Sequence, residues 1–154
     1  MIRTASGLFA ILLLVMAPPG HAGSEREISI RADTLQIEEA RGEIRFEGGV
    51  TLEYGDVEMS CNTLILFTEG GGTGEVVRGQ AMGDVRLTRL EDRLEAGSAY
   101  FDIKRGVVEL EDSPHLTRGG SRISAARIAY QVDNGLARFE GPVKAKILPG
   151  GDEP

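Results

Sequence analysis

The 154-residue chain has no Trp, one Cys, two His and only 5% aromatic residues. A lone Cys excludes a disulfide scaffold, and one Cys with two His at no ligand spacing excludes a Cys/His zinc module. Basic side chains are outnumbered 17 to 24, for a formal charge of −7. That balance repels phosphate backbones and sets nucleic acid aside as a partner. Long apolar runs are missing too: Leu8 to Ala17 falls well short of the roughly 20 residues that a membrane-spanning helix needs. Arg3 precedes it, Pro18-Pro19 breaks it, and the small-residue site Gly20-His21-Ala22 follows. Residues 1–22 therefore read as a signal peptide without a lipidatable Cys at the break, and retention of the same segment as an anchor is the alternative. A single domain over 23–148 and a short flexible tail over 149–154 complete the expected organisation. Cys61, alone in an exporting route, is expected to be buried as a small hydrophobe.

What is abundant is glycine, 21 residues, together with an internal repeat. With Ala32, Cys61, Ala96 and Ala125 as origins, spaced 29, 35 and 29 residues apart, an apolar residue stands two before each: Ile30, Met59, Leu94, Ile123. Three after come Leu35, Leu64, Ala99, Ile128; five after come Ile37, Leu66, Phe101, Tyr130. Gly42, Gly106 and Gly135 lead into Ile44-x-Phe46, Val108-x-Leu110 and Ala137-x-Phe139, while the second unit carries an insertion at Glu69-Gly70-Gly71-Gly72-Thr73. Within each unit the apolar period is two, so the elements are strands with one buried face. At each origin the alternation slips by one residue, as a bulge or sharp bend in a continuous strand would make it do. Glycine at 42, 106 and 135 suits tight reversals. The expected fold is all-β: four units of about 29 residues stacked into a repeat-built β-jellyroll, open at both ends.

Chemistry of a catalytic kind finds little support. His115 in Asp112-Ser113-Pro114-His115 has no Gly-x-Ser-x-Gly elbow to serve, so a hydrolase is a remote alternative. No spacing of ligands suggests a metal or a cofactor. Gly70 to Gly74 lacks the Lys-Ser/Thr of a phosphate loop, and Gly55-Asp56-Val57 and Gly83-Asp84-Val85 read as turns rather than calcium loops.

The inward positions are the remaining candidates. Alternation turns inward Ile37, Ile44, Phe46, Val50, Leu52, Leu64, Leu66, Leu87, Phe101, Ile103, Leu110, Ile128, Tyr130 and Phe139, along with Ile30, Leu35, Val85, Val108 and Val143. An aliphatic set between two sheets held apart at open ends suits alkyl chains, where each buried methylene contributes about 0.8 kcal/mol. The fourteen first named are the candidate lipid-binding residues. Ile28 and Ile30 at the start, and Val143, Ala145 and Ile147 in the last strand, are the candidate docking edge, since an unpaired strand invites another sheet. Lys144 and Lys146 on one face of that strand also fit ordinary edge protection. A structural β-stack without lipid stays open as an alternative.

Ile30-Arg31-Ala32-Asp33-Thr34-Leu35-Gln36-Ile37 followed by Gly42-Glu43-Ile44-Arg45-Phe46-Glu47-Gly48-Gly49-Val50-Thr51-Leu52 resembles the opening repeat of the OstA/LptA family. Weaker copies recur at Ala125 to Tyr130 and Gly135 to Val143, so the resemblance spans about Glu27 to Ile147. It implies a β-jellyroll, or β-taco, in the periplasm that sheathes the acyl chains of lipopolysaccharide. It also implies end-to-end assembly with related jellyrolls of an inner-membrane complex and an outer-membrane translocon, a head-to-tail homo-oligomer being compatible with the same ends. A membrane-tethered sister of the same pathway is the alternative if the leader is retained.

Overall fold

The computed structural model describes residues 27–70 and 74–150. The expected leader, the centre of the Gly-rich insertion (71–73) and the last four residues of the tail lie outside them. Twelve strands form one antiparallel sheet: β1 (Ile28–Arg31), β2 (Thr34–Glu38), β3 (Glu43–Tyr54), β4 (Val57–Thr68), β5 (Val76–Arg89), β6 (Asp92–Asp102), β7 (Val107–Glu111), β8 (His115–Arg118), β9 (Ser121–Ser124), β10 (Arg127–Gln131), β11 (Ala137–Glu140) and β12 (Lys144–Lys146). A 3-10 turn, Glu39–Arg41, joins β2 to β3.

The sheet is folded along a crease. Register shifts fall between Glu47 and Val50 in β3, between Ser60 and Thr63 in β4, and between Met82 and Val85 in β5. β6 changes partner there, from β8 over residues 92–95 to β7 over 98–102. The chain breaks between β1 and β2, β7 and β8, β9 and β10, and β11 and β12 lie on the same line. Two leaves result. Leaf one runs β1, the second half of β3, the first half of β4, the second half of β5, the first half of β6, β8, β9, β12. Leaf two runs β2, then the complementary halves of β3 to β6, then β7, β10 and β11. The slip exists because both leaves must present the same face inward. In β4, Val57, Met59 and Cys61 point in before the crease and Leu64 and Leu66 after it, so one extra residue restores the phase.

Close approach at the crease demands glycine. A Cβ on Gly48 would fall 2.4 Å from Asp33 Oδ2, and one on Gly97 would fall 2.4 Å from Asp112 Oδ2. Each short polar side chain thus lies over a neighbouring strand that has no side chain of its own, while Asp33 N–H to Gly48 carbonyl and Gly97 N–H to Asp112 carbonyl, at 3.0 and 2.9 Å, carry the ladder through the bend. Gly83-Asp84, which reads as a turn in the sequence, is instead part of this crease inside β5, with φ of 79° and 46°. A bulge and a reversal ask for the same local residues, and only pairing on both sides distinguishes them. Gly42, Gly106 and Gly135 do sit at reversals, with positive φ.

The two inner faces form one apolar cluster, from Val50, Leu52, Met59, Leu87 and Leu94 on leaf one to Leu64, Leu66, Leu110 and Ile128 on leaf two. Fully buried, each large aliphatic side chain contributes about 1.5–3 kcal/mol. No helix covers either leaf among the described residues.

Candidate functional site

Cross-strand register arranges the inner side chains in rows that traverse the whole sheet. On leaf two, one row runs Leu35, Phe46, Leu64, Ala81, Ala99, Leu110, Ile128, Phe139. The next runs Ile37, Ile44, Leu66, Gly79, Phe101, Val108, Tyr130, Ala137. Facing them on leaf one is the row Ile30, Leu52, Met59, Leu87, Leu94, Leu116, Ile123, Ala145. Most of the candidate lipid-binding residues fall on these lines. Val50 pairs with Cys61 beside the crease, and Ile103 lies in the β6–β7 turn.

Burial along the rows is uneven. Leu64, Leu87, Leu110 and Ile128 are fully enclosed, whereas Leu35 and Ile37, on the same inner face, are 56% and 55% exposed because β2 is the last strand of its leaf. At the other end Leu136, Val143, Ile147 and Leu148 are similarly open to solvent, and Ile123, Phe139 and Ile147 line a mouth of about 340 Å³. Of the candidate docking residues, Ile28 and Ile30 are half-buried against the core, while Ala145 and Ile147 are exposed. Along these three rows the cleft is thus apolar from end to end, closed in the middle and open at both ends.

At the rim opposite the crease, Ile28, Tyr54, Val57, Met59, Ile103, Val107 and Val132 line an apolar crevice of about 70 Å³. Val57, Met59, Leu94 and Leu116 belong to the inner surface as fully as the residues singled out from alternation. They were legible from the same period.

The rim also holds a polar group that the sequence reading passes over. Arg89, Asp92 and Arg118 occupy consecutive cross-strand positions on the inner face of leaf one. Asp92 is only 7% exposed. Arg118 holds it through two hydrogen bonds, from Nε and, at 2.8 Å, from Nη2. The Tyr130 hydroxyl donates to Asp92 Oδ2 at 2.6 Å. The Arg118 bond keeps the Asp92 carboxyl below the ordinary carboxylate range in spite of burial, and burial with the adjacent carboxylate pushes the Tyr130 phenol up to about 12. Tyr130, expected as an apolar groove residue, has no exposed surface. The signal was present in the alternation itself: 85, 87 and 89, 92 and 94, and 116 and 118 share the inward phase, which places three charged residues inside.

His115 Nε2 lies 2.7 Å from Glu95 Oε2, on the outward-facing side of β8, since Leu116 points in. Cys61 is buried, its thiol donating to the Thr63 carbonyl at 3.4 Å, and burial raises its pKa to about 11. Among the described residues no group of three or more His, Cys, Asp or Glu is placed to hold a metal ion, and no helix is long and apolar enough to cross a membrane.

A creased antiparallel sheet with an apolar cleft running between two open ends defines a β-jellyroll. The sequence model of the family described as "LptA/(LptD N-terminal domain) LPS transport protein" matches residues 29–136, well over half of the chain, and the chain belongs to that family. Among solved structures it is similar to the crystal structure of LptH from Pseudomonas aeruginosa, described as the LptA homologous periplasmic component of the conserved lipopolysaccharide transport device. The TM-score is 0.72 at 14% identity, covering 81% of this chain and 97% of that one. Comparison with curated proteins finds no match.

Proposed function

We propose that this protein is a periplasmic lipopolysaccharide carrier that sheathes acyl chains in its cleft and bridges export complexes of the inner and outer membranes. The observation that carries this reading is the continuity of the inner rows: three lines of apolar side chains run from β1 and β2 to β11 and β12, broken by no charged residue. Burial of methylenes supplies the affinity without a polar partner. Transport through such a cleft is passive, with energy supplied by the partners.

Strand parity supports the bridging role. Each leaf has an even number of strands paired antiparallel throughout, so its first and last strands run in opposite directions. A second jellyroll that adds its β1 and β2 beyond β12 and β11 then continues both leaves in antiparallel order. Ala145 would be followed by Ile30 of the added copy, and Phe139 by Leu35 of the added copy. The rows would extend unbroken. Lys144 and Lys146 point outward and leave that continuation free.

Site-specific photo-crosslinking tests the carrier reading. A photoreactive residue at Phe46 or Phe101 should capture lipopolysaccharide in cells, and one at Tyr100, on the outer face of leaf two, should not. Equal capture at all three positions, or capture at none, would overturn it.

A further inference from the structure

The rim opposite the crease is made of hairpin ends from both leaves. From leaf one come the β3–β4, β5–β6 and β8–β9 turns, and from leaf two the β2–β3, β6–β7 and β10–β11 turns and the far ends of β4 and β5. Two stretches of it, where the leaves face each other, differ in chemistry. Along the first, Tyr54 and Val57 on leaf one and Ile103 and Val107 on leaf two line the small apolar crevice. Along the second, three hydrogen bonds pass from leaf to leaf: Tyr130 hydroxyl to Asp92 at 2.6 Å, Arg118 Nη2 to the Gly135 carbonyl at 2.9 Å, and Arg89 Nη2 to the Asp133 carbonyl at 3.0 Å.

We propose that Arg89, Asp92, Arg118 and Tyr130 form a latch that fastens the leaves over the second stretch and confines their separation to the first. Alkyl chains then enter or leave sideways between Tyr54-Val57 and Ile103-Val107. Parting apolar surfaces exposes area and costs in proportion to it, and it can be offset by an alkyl chain that takes the same place. Parting the latch breaks the three cross-leaf bonds and leaves the Tyr130 hydroxyl, the Gly135 and Asp133 carbonyls and one donor each of Arg89 and Arg118 without partners that an alkyl chain could replace, while Asp92 keeps its bonds from Arg118 on the same leaf. An apolar ligand therefore opens one stretch and not the other. The position of the opening rests on the carrier reading above; the latch does not.

Two experiments test this. Tyr130→Phe removes one oxygen and keeps the ring, so it leaves the core filled. Hydrogen exchange in the β10–β11 hairpin should then accelerate by about tenfold or more, the loss of one hydrogen bond to a charged group, with exchange in the β3–β4 hairpin unchanged. Unchanged exchange at β10–β11, or equal acceleration at both hairpins, overturns the latch. In a Cys61→Ala background, cysteine pairs are then joined by a short bismaleimide. Joining Asp56→Cys to Arg105→Cys should block loading from lipopolysaccharide micelles, and joining Glu91→Cys to Leu136→Cys should leave loading intact. The reverse pattern, or equal loss in both, overturns the position of the opening. If the unjoined protein takes up no lipopolysaccharide, the carrier reading fails, and the exchange measurement still decides the latch.

Discussion

The hydroxyl of Tyr130 on β10 reaches across the cleft to the carboxylate of Asp92 on β6, 38 positions earlier in the chain, and closes a 2.6 Å hydrogen bond between the two leaves. An otherwise apolar interior therefore contains a buried carboxylate, held by Arg118 from the next strand and paired in register with Arg89 on the other side. A buried carboxylate is tolerated because its oxygens are occupied, and it is costly to leave with its partners removed.

That pairing makes acid stability a direct readout. The folded Asp92 carboxyl titrates below its ordinary value, about 3.9 in an unfolded chain. Its contribution is fully present above that pH and is lost as pH falls through the lower, folded value. Asp92→Asn should destabilise the protein by about 1–3 kcal/mol near neutrality, discounted because Arg118 is half exposed. The gap in melting temperature between wild type and variant should narrow as pH falls toward 3. A gap independent of pH would show that the carboxylate charge contributes nothing. At the alkaline end the Tyr130 phenol, raised to about 12, contributes fully below about pH 10 and loses its share as pH rises through 12.

Gly79 has a different constraint. It faces Phe101 across β5 and β6, and a Cβ built on it would lie 1.9 Å from the Phe101 ring. The ring covers the gap in the inner row left by the missing side chain. Gly79→Ala should cost about 1–3 kcal/mol by overpacking, measured by denaturant unfolding, and the double variant with Phe101→Leu should recover part of it. Additive losses would mean that the two positions do not share the space.

The crease was partly legible in the amino-acid order, and so was the inward phase of Arg89, Asp92 and Arg118, but their meeting with Tyr130 was not, for different physical reasons. Period-two alternation is strict in this chain, so each one-residue slip near Ala32, Cys61, Ala96 and Ala125 marks the place where a strand bends and keeps its inner face. Gly48 and Gly83 lie on the same crease, but a glycine beside Asp or Gly carries the signature of a reversal equally well. The polar rim escaped because Asp92 and Arg118 flank Glu91 and Gly119, where charged residues next to turns ordinarily face solvent. Register across three strands and the opposing leaf brings them together with Tyr130, and no local pattern encodes that meeting. Exposure at Leu35 and Ile37 likewise follows from β2 being a terminal strand, a property of topology rather than of period.

Cys61 provides a probe of the closed core. With its pKa at about 11 and its sulfur buried at the crease, the thiol is almost wholly protonated at pH 8, and the thiolate is the reactive form. Reaction with Ellman's reagent should be slow in the native protein and rapid on unfolding in denaturant. Fast native labelling would mean that the crease opens readily. Cys61→Ala should cost only about 1 kcal/mol, the loss of one small buried atom.

The exposed start of the inner rows separates packing from association. Leu35 and Ile37 lie on the inner face of β2 yet keep more than half of their surface in water, so they add little to the fold of a single molecule. Leu35→Asp and Ile37→Asp should each change unfolding stability by no more than about 0.5 kcal/mol, the usual range for surface substitutions. If a neighbouring jellyroll continues the rows, however, these positions become interior, and a carboxylate there must be desolvated without a partner. End-to-end association, followed by analytical ultracentrifugation or by capture of a partner jellyroll, should then fall by at least about tenfold. The same change on the outer face, Gln36→Glu, should leave association intact. A large loss of stability in Leu35→Asp with association unaffected would place these side chains in the core of the single molecule and remove the terminal strands from the interface.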